Sequence, residues 1–340
     1  MLKKTQFFTD LSYLYKKTLL VTGATGSFGS AMIEKLLQYG NLKRLVIFSR
    51  DEYKQFKLKQ KLKKYKNSGI LRFFIGDVRN FDRLMMAFRT VDYVIHAAAL
   101  KQIDTAEYNP FECINTNVLG TENVVKASLY NSVKKAIVIS TDKAVNPINL
   151  YGASKLASDK VFLAANRYAG NQNSIFSVVR YGNVLDSRGS VISLFKELVF
   201  KKKNKEIPIT DKRMTRFWIE KQEGVDFVLK CLKNMNGSEI FVPKIPSMSI
   251  MDIVKCFDVK LKIKKIGIRP GEKMHEVLLS KDESSFTFEG KDYFIIFPPW
   301  KKKELLKKLK IRKVSENFEY VSNKNNKKLS TKVVRDILNN

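Results

Sequence analysis

Cysteine is scarce in this sequence, at three residues in 340. Cys113, Cys231 and Cys256 stand far apart with no Cys-x-x-Cys pair, so neither a disulfide framework nor a zinc site is expected. Long hydrophobic runs are missing as well. No stretch reaches the ~18 apolar residues that cross a bilayer, and residues 1–17 hold no continuous apolar segment of the signal-peptide kind. The expectation is a cytoplasmic protein with no membrane insertion. There is no internal repeat and no Pro/Gly/Ser-rich linker. Acidic residues are the other deficit: 33 stand against 63 Lys plus Arg, a net charge of +30.

The basic excess is mostly lysine, in runs at 54–66, 201–205 and 301–313. No helix-turn-helix, zinc-finger or RNP-like aromatic signature accompanies these runs. Within 54–66, the spacing of Phe56, Leu58, Leu62 and Tyr65 predicts the inner side of a helix with a lysine-coated outer side. Charge alone specifies no partner, so nucleic acid is not expected to be one. At 44% hydrophobic, the chain can bury a core of one or two domains.

Up to Tyr181, short apolar runs alternate with longer amphipathic stretches. Strands are expected at 18–22, 45–49, 71–76, 93–97, 136–140 and 175–181. Helices are expected near 28–37, 54–66, 81–89, 110–129 and 150–167. Apolar strands alternating with helices predict an α/β fold, a doubly wound parallel sheet of the Rossmann kind. After Tyr181 the helical runs shorten and the loops carry Pro208, Pro243, Pro246 and Pro270. The expected division is a dinucleotide-binding domain over residues 12–182, a smaller and interleaved substrate-binding part over 183–300, and a basic C-terminal segment over 301–340.

The first strand runs into Gly23-Ala24-Thr25-Gly26-Ser27-Phe28-Gly29. Glycines at this spacing let the backbone turn tightly against a pyrophosphate, and the following helix N-terminus offers free N–H groups to it. The second strand ends in Ser49-Arg50, with Lys54 one turn further. Cations there suit the 2′-phosphate of NADP, whereas an acid suits the free hydroxyl of NAD; Asp51 next door keeps NAD open. Asp77 and Val78 follow the third strand, where Asp77 is placed to accept from the adenine amino group or to cap the next helix. Ala97 and Ala98 follow the fourth strand and let a cofactor lie close to the backbone. His96 reads as a packed strand-end residue.

The fifth strand ends in Ser140-Thr141-Asp142-Lys143, and eight residues beyond Lys143 comes Tyr151-Gly152-Ala153-Ser154-Lys155. A spacing of four puts Tyr151 and Lys155 on one helical face. An ammonium there favours phenolate over phenol, and phenolate can take a hydroxyl proton while the carbon gives up hydride. The glycine loop with Tyr151 and Lys155 resembles the extended short-chain dehydrogenase/reductases. The run from Ser140 to Lys155 resembles the UDP-N-acetylglucosamine 4,6-dehydratases, in particular the C5-inverting type that begins pseudaminic acid synthesis. Supporting segments include Met214-Thr215-Arg216-Phe217 and Arg269-Pro270-Gly271-Glu272-Lys273.

The resemblance implies Lys143 as the base at C5, Asp142 as the acid at the C6 hydroxyl, and Tyr151 with Lys155 at C4. It also implies a UDP-sugar contacted by Thr141, Asn183, Arg188, Ser190, Val191, Arg216, Arg269 and Glu272, with Lys101 near cofactor or substrate. It further implies association as a homo-oligomer through the helices at 110–129 and 150–167. A retaining dehydratase and a sugar 4-epimerase remain the alternatives. Lysine serves as a base only if its proton affinity is lowered by burial or a nearby cation. Two segments depart from the family pattern: Lys101-Gln102-Ile103-Asp104 stands for Lys-His-Val-Pro, and Asp186 stands for a glycine.

Overall fold

Six apolar segments form the parallel half of the central sheet: β1 (Thr18–Thr22), β2 (Arg44–Ser49), β3 (Leu71–Ile75), β4 (Tyr93–His96), β5 (Lys135–Thr141) and β6 (Ile175–Tyr181). They lie in the order β3-β2-β1-β4-β5-β6, and every neighbouring pair is parallel. The expected strand ends agree with these bounds to within one residue. The computed structural model describes residues 5–39, 41–170, 173–201, 206–257, 261–300 and 311–339. Strand β1 is buried at all five positions, as a strand covered by helices on both faces must be. Beyond β6 the sheet continues with Ile240–Pro243, parallel, and then Tyr293–Ile296, Thr287–Glu289 and Arg312–Lys313, antiparallel, to ten strands.

The helices differ from expectation in three places. The lysine-rich helix spans Glu52–Leu62 and buries Gln55, Leu58 and Leu62, while Phe56 is exposed. Gln55 takes the inner position because its amide donates to the Ser49 and Phe74 carbonyls, at 3.0 and 2.8 Å. The segment at 110–129 is interrupted by a widened turn at Asn115–Leu119. There the Asn117 side chain accepts from Leu100 N and donates to Leu100 O and Ser154 Oγ, tying the segment to the loop after β4. A short helix, Ile103–Tyr108, was not signalled by periodicity. The lysine runs at 201–205 and 301–313 fall mostly outside the described residues.

A second apolar cluster sits beside the sheet, built around Trp218, Phe195, Ile207, Ile253 and Val334. Val334 and Leu338 belong to the C-terminal helix Thr331–Asn339, so the end of the chain folds back into this cluster. Trp218 is fully buried, and its indole N–H points to the Met248 carbonyl at 3.4 Å. Its strand, Thr215–Ile219, pairs with Asn183–Val184 directly after β6, so this cluster fixes the wall that faces the end of β5. Trp218→Ala is expected to lower unfolding stability by about 3–5 kcal/mol, measured by chemical denaturation followed by far-UV circular dichroism.

Candidate active site

The glycine loop is shaped by contact. Gly23 has φ +63°, and a Cβ there would lie 2.7–2.8 Å from the backbone of Ala97 and Ala98. Strands β1 and β4 are neighbours, so their loops meet at the topological switch point, where such folds bind ligands. A Cβ on Gly29 would strike Gly23 O, so the N-terminus of α1 (Ser27–Tyr39) can close onto the loop only with glycine there. Thr22 Oγ1 accepts from Ala97 N and Ala98 N, at 3.1 and 3.2 Å, which draws the small-residue loop inward. Val78 is buried and fills the groove beside Gly120. This cradle fits a dinucleotide.

At the end of β2, Ser49 is buried and held by Gln55. Asp51 caps the Glu52–Leu62 helix by accepting from Lys54 N at 2.8 Å, and its other oxygen pairs with Lys54 Nζ at 2.8 Å. Asp51 is therefore engaged locally, and so is Lys54. Arg50 is half exposed and reaches Asp77 at 3.5 Å. Asp77 also holds Arg79, while the cap of the next helix is Asn80.

The acid–base cluster stands where β5 ends. Asp142 is 0% exposed, and its Oδ1 accepts from Lys143 Nζ at 3.0 Å and from Thr141 Oγ1 at 3.0 Å. Its second oxygen, Oδ2, is buried without a hydrogen-bond partner among the described residues. Lys143 Nζ also reaches Glu276 Oε1 at 3.2 Å and Asn183 Oδ1 at 3.3 Å. Burial raises the Asp142 pKa; Lys143 opposes this and Glu276 adds to it. For Lys143, burial works against the ammonium, but Asp142 and Glu276 outweigh it, so its pKa rises. That corrects the expectation of a loosened lysine proton: in the ligand-free protein the lysine is an ammonium between two carboxylates.

Tyr151 follows on the helix Leu150–Tyr168. Its pKa is pushed up to about 12 by burial, with Lys143 and the Thr141 hydroxyl acting against the rise. The cation beside the phenol in the ligand-free protein is thus Lys143. Lys155 is 3% exposed, and burial lowers its pKa against the pull of Asp159. Two details bring this helix to the pair. Asn149 caps it by accepting from Gly152 N at 2.7 Å. A Cβ on Gly152 would overlap the Lys143 carbonyl oxygen, so glycine sets the approach of helix to turn.

The remaining expected residues divide into two groups. Arg216 is buried, bonded to the Thr215 and Met274 carbonyls at 2.8 and 3.1 Å, with Nε 3.8 Å from Glu276. Arg269 is half exposed and lies 3.9 Å from Glu272. Arg188 sits on the glycine loop, where its N–H groups meet Ser27 Oγ and the Thr25 carbonyl. Lys101 Nζ donates to Arg188 O at 3.0 Å. Ser190 is committed to capping the helix Val191–Lys196, and Val191 packs on the second cluster. The two segments that depart from the family pattern touch each other: a Cβ on Gly189 would lie 2.5 Å from Gln102 Nε2. Asp186 has φ +52°, a conformation that glycine adopts most easily, which explains the family's usual residue there.

Glu276 lies outside the motifs, while Lys273 and Asn149 stand within quoted segments but were given no role there. Glu276 and Lys273 both lie close to Lys143, and Lys273 donates to the Val145 carbonyl. Asn149 donates to Gly271 O at 2.8 Å and so joins the catalytic helix to the 269–273 loop. Only the spacing of Asn149 before the helix could have revealed its capping role.

A family model described as polysaccharide biosynthesis protein matches residues 19–298. The chain belongs to this family of extended short-chain dehydrogenase/reductases. A Campylobacter jejuni family member named UDP-N-acetylglucosamine 4,6-dehydratase (inverting) is 49% identical over 330 residues, covering 95% of this chain and 97% of the relative. A Rickettsia rickettsii protein named UDP-glucose 4-epimerase is 45% identical over 287 residues, 82% of each chain. The X-ray structure of Pen from Bacillus thuringiensis superposes with TM-score 0.87 at 35% identity, covering 96% of this chain and 98% of Pen. The dTDP-glucose 4,6-dehydratase DesIV of Streptomyces venezuelae shares the fold, with TM-score 0.66 at 22% identity, covering 76% of this chain and 86% of DesIV.

His96 is structural in this family member. Thr22 Oγ1 already accepts from two backbone N–H groups, so its own proton goes to His96 Nδ1, 2.7 Å away. The other nitrogen, Nε2, then carries the proton and faces Thr121 Oγ1 at 3.1 Å. Burial, helped by Lys155, lowers the pKa to about 3. The unfolded chain therefore binds a proton below about pH 6.5 that the folded chain refuses. Stability is expected to fall as pH drops from about 6.5 towards about 3, by up to about 1.4 kcal/mol per unit from this residue. Urea unfolding of the native chain and His96→Asn across that range checks it: the variant should lose this share of the slope, and equal slopes contradict it.

Proposed function

We propose that this chain dehydrates UDP-N-acetylglucosamine across C5 and C6 with inversion at C5, giving a UDP-2-acetamido-2,6-dideoxy-4-hexulose. The observation that carries the reading is the Asp142–Lys143 pair at the end of β5 next to Tyr151, its aspartate fully buried and its lysine partly so. A 4-epimerase moves a hydride but eliminates no water, so it has no use for a buried acid and base at this position. As an enzyme, the chain is a hydro-lyase with no net redox change.

A bound nicotinamide supplies the hydride acceptor at C4 and the donor at C6. Tyr151, kept as a phenol by burial, must first release its proton to solvent; as phenolate, with Lys155 behind it on the same helix, it takes the C4 hydroxyl proton as the ketone forms. The ketone acidifies C5–H. The Lys143 ammonium must first lose a proton, and Asp142 Oδ1 at 3.0 Å can receive it. This shift leaves the proton count of the pair unchanged and produces an amine next to a carboxylic acid. Burial of Asp142 favours that neutral pair over two desolvated charges. The amine then accepts the C5 proton, and the acid gives its proton to the C6 hydroxyl, which leaves as water. Elimination returns the pair to the ion pair it started from, and a proton from solvent, replacing the one Tyr151 released, adds to C5 from the opposite face and completes inversion.

The diphosphate fits a cationic wall formed by Lys101, Arg188, Arg216, Arg269 and Lys273. Burial and neighbouring positive charge lower the pKa of Lys101 and burial lowers that of Lys273, a cost that a bound anion would relieve. Asn183 faces the sugar beside Lys143, and Glu272 reaches the uridine ribose. We assign NADP as the cofactor because Asp51 is used as a helix cap, leaving half-exposed Arg50 as the group for a 2′-phosphate. Among the described residues no helix is long and apolar enough to cross a membrane, in keeping with a cytoplasmic enzyme. Exposed Tyr108, Phe111, Ile114 and Leu119 form the apolar face through which a homo-oligomer would assemble. The product suits pseudaminic acid synthesis.

Purified protein incubated with UDP-N-acetylglucosamine should give a product lighter by one water, whose H5 coupling in NMR reports inversion. Product of unchanged mass indicates epimerisation instead. Lys143→Ala should cut turnover by about 10²–10⁴-fold with the fold and cofactor binding retained, although melting falls because Asp142 and Glu276 lose their shared cation; undiminished turnover removes Lys143 from the mechanism. Arg50→Ala should weaken NADP binding by about 10–100-fold and leave NAD binding nearly unchanged, measured by titration of intrinsic fluorescence.

A further inference from the structure

No motif singles out Glu276, yet it is among the most constrained acids in the molecule. It is 2% exposed, with Oε1 3.2 Å from Lys143 Nζ and 3.8 Å from Arg216 Nε. Its Oε2 is buried without a hydrogen-bond partner among the described residues, like Oδ2 of Asp142. Its backbone is clamped by the C-terminal segment. Glu276 N donates to Ser322 Oγ at 2.9 Å, and Ser322 N donates to Glu276 O at 2.9 Å. The strand that follows, Val277–Leu279, pairs with Tyr320–Val321. Ser322 Oγ is in turn held by Thr215, on the strand that carries Arg216. A carboxylate fixed this way can move little in response to Lys143, whereas a lysine side chain can adjust to it.

We propose that Glu276 is a positioning residue for the Lys143 base, anchoring its amino group from outside the Asp142–Lys143 turn and setting how tightly that group holds its proton. The inference deepens the dehydratase reading and rests on it for its consequence in turnover. Lys143 is faced by Asp142 on its own turn and by Tyr151 from the catalytic helix. It is also faced by Glu276 and Lys273 from the 269–276 segment, Arg216 from the neighbouring strand and Lys101 from the loop after β4. Two carboxylates hold the proton on nitrogen, and three cations push it off. Without the Glu276 charge, Asp142 alone opposes those cations and the proton loosens. Glu276 thereby sets how readily Lys143 passes its proton to Asp142, which lies within 3.0 Å of Nζ and remains the group that exchanges a proton with it.

The test is the titration of Lys143 itself. Brief acetic anhydride labelling at a series of pH values, with the Lys143 peptide quantified by mass spectrometry, gives the midpoint of its deprotonation in the ligand-free protein. Glu276→Gln should move that midpoint down by about one unit or more. Glu276→Asp, which keeps the charge but withdraws it by one methylene, should move it less and serves as the measurement should the glutamine variant fail to fold. Lost activity with an unmoved midpoint marks Glu276 as merely structural and overturns the proposal. Failure of the dehydratase reading shows separately, as absence of dehydrated product from the unaltered protein, and leaves the labelling result standing.

Discussion

A lysine and an aspartate buried side by side at the end of β5 impose the constraint around which this protein is arranged. Two desolvated charges are costly unless each compensates the other and further polar groups take up the rest. Here Asn183, Thr141 and Glu276 do so, and Arg216 stands behind Glu276. The same low-dielectric setting makes the proton easy to relocate within the pair, because the neutral form avoids the desolvation cost. An exposed Asp-Lys pair has no comparable reason to exchange its proton.

Holding such a pair takes more than the Rossmann half. Strand β5 and the Leu150–Tyr168 helix bring Asp142, Lys143 and Tyr151 together, and Gly152 lets the helix approach. The walls come from further along the chain. Asn149 is bonded to Gly271, Lys273 to Val145, Arg188 to the glycine loop and Glu276 to Ser322. The first three join the first 182 residues to a later segment, and the fourth clamps two later segments to each other. The C-terminal residues take part as well: Tyr320 donates to the Ile245 carbonyl and accepts from its N–H, and the final helix fills the second apolar cluster. The site is thus a seam between two packed units, with fixed dipoles and charges on both sides.

The six parallel strands, the glycine loop and the Tyr151/Lys155 spacing were legible in the sequence because each depends on local chemistry. Apolar runs become buried strands, glycines permit a tight turn against a phosphate, and a four-residue interval places two side chains on one helical face. The adjacency of Asp142 and Lys143 was legible for the same reason. Periodicity misled at Phe56, because the buried place went to Gln55, whose amide satisfies two backbone carbonyls. It also missed the widened turn at Asn115–Leu119, which answers a side-chain bond to a distant loop.

The sequence by itself determined the fold type, the glycine loop and, through the family resemblance, the candidate side chains of the site, since these follow from residue types at short separations. Tertiary structure alone decided their protonation. Glu276, separated from Lys143 by more than a hundred residues, comes within 3.2 Å of it and joins Asp142 in raising a pKa that burial lowers. Proton affinity is the sum of burial and every nearby charge, and those neighbours are assembled only when the chain has folded.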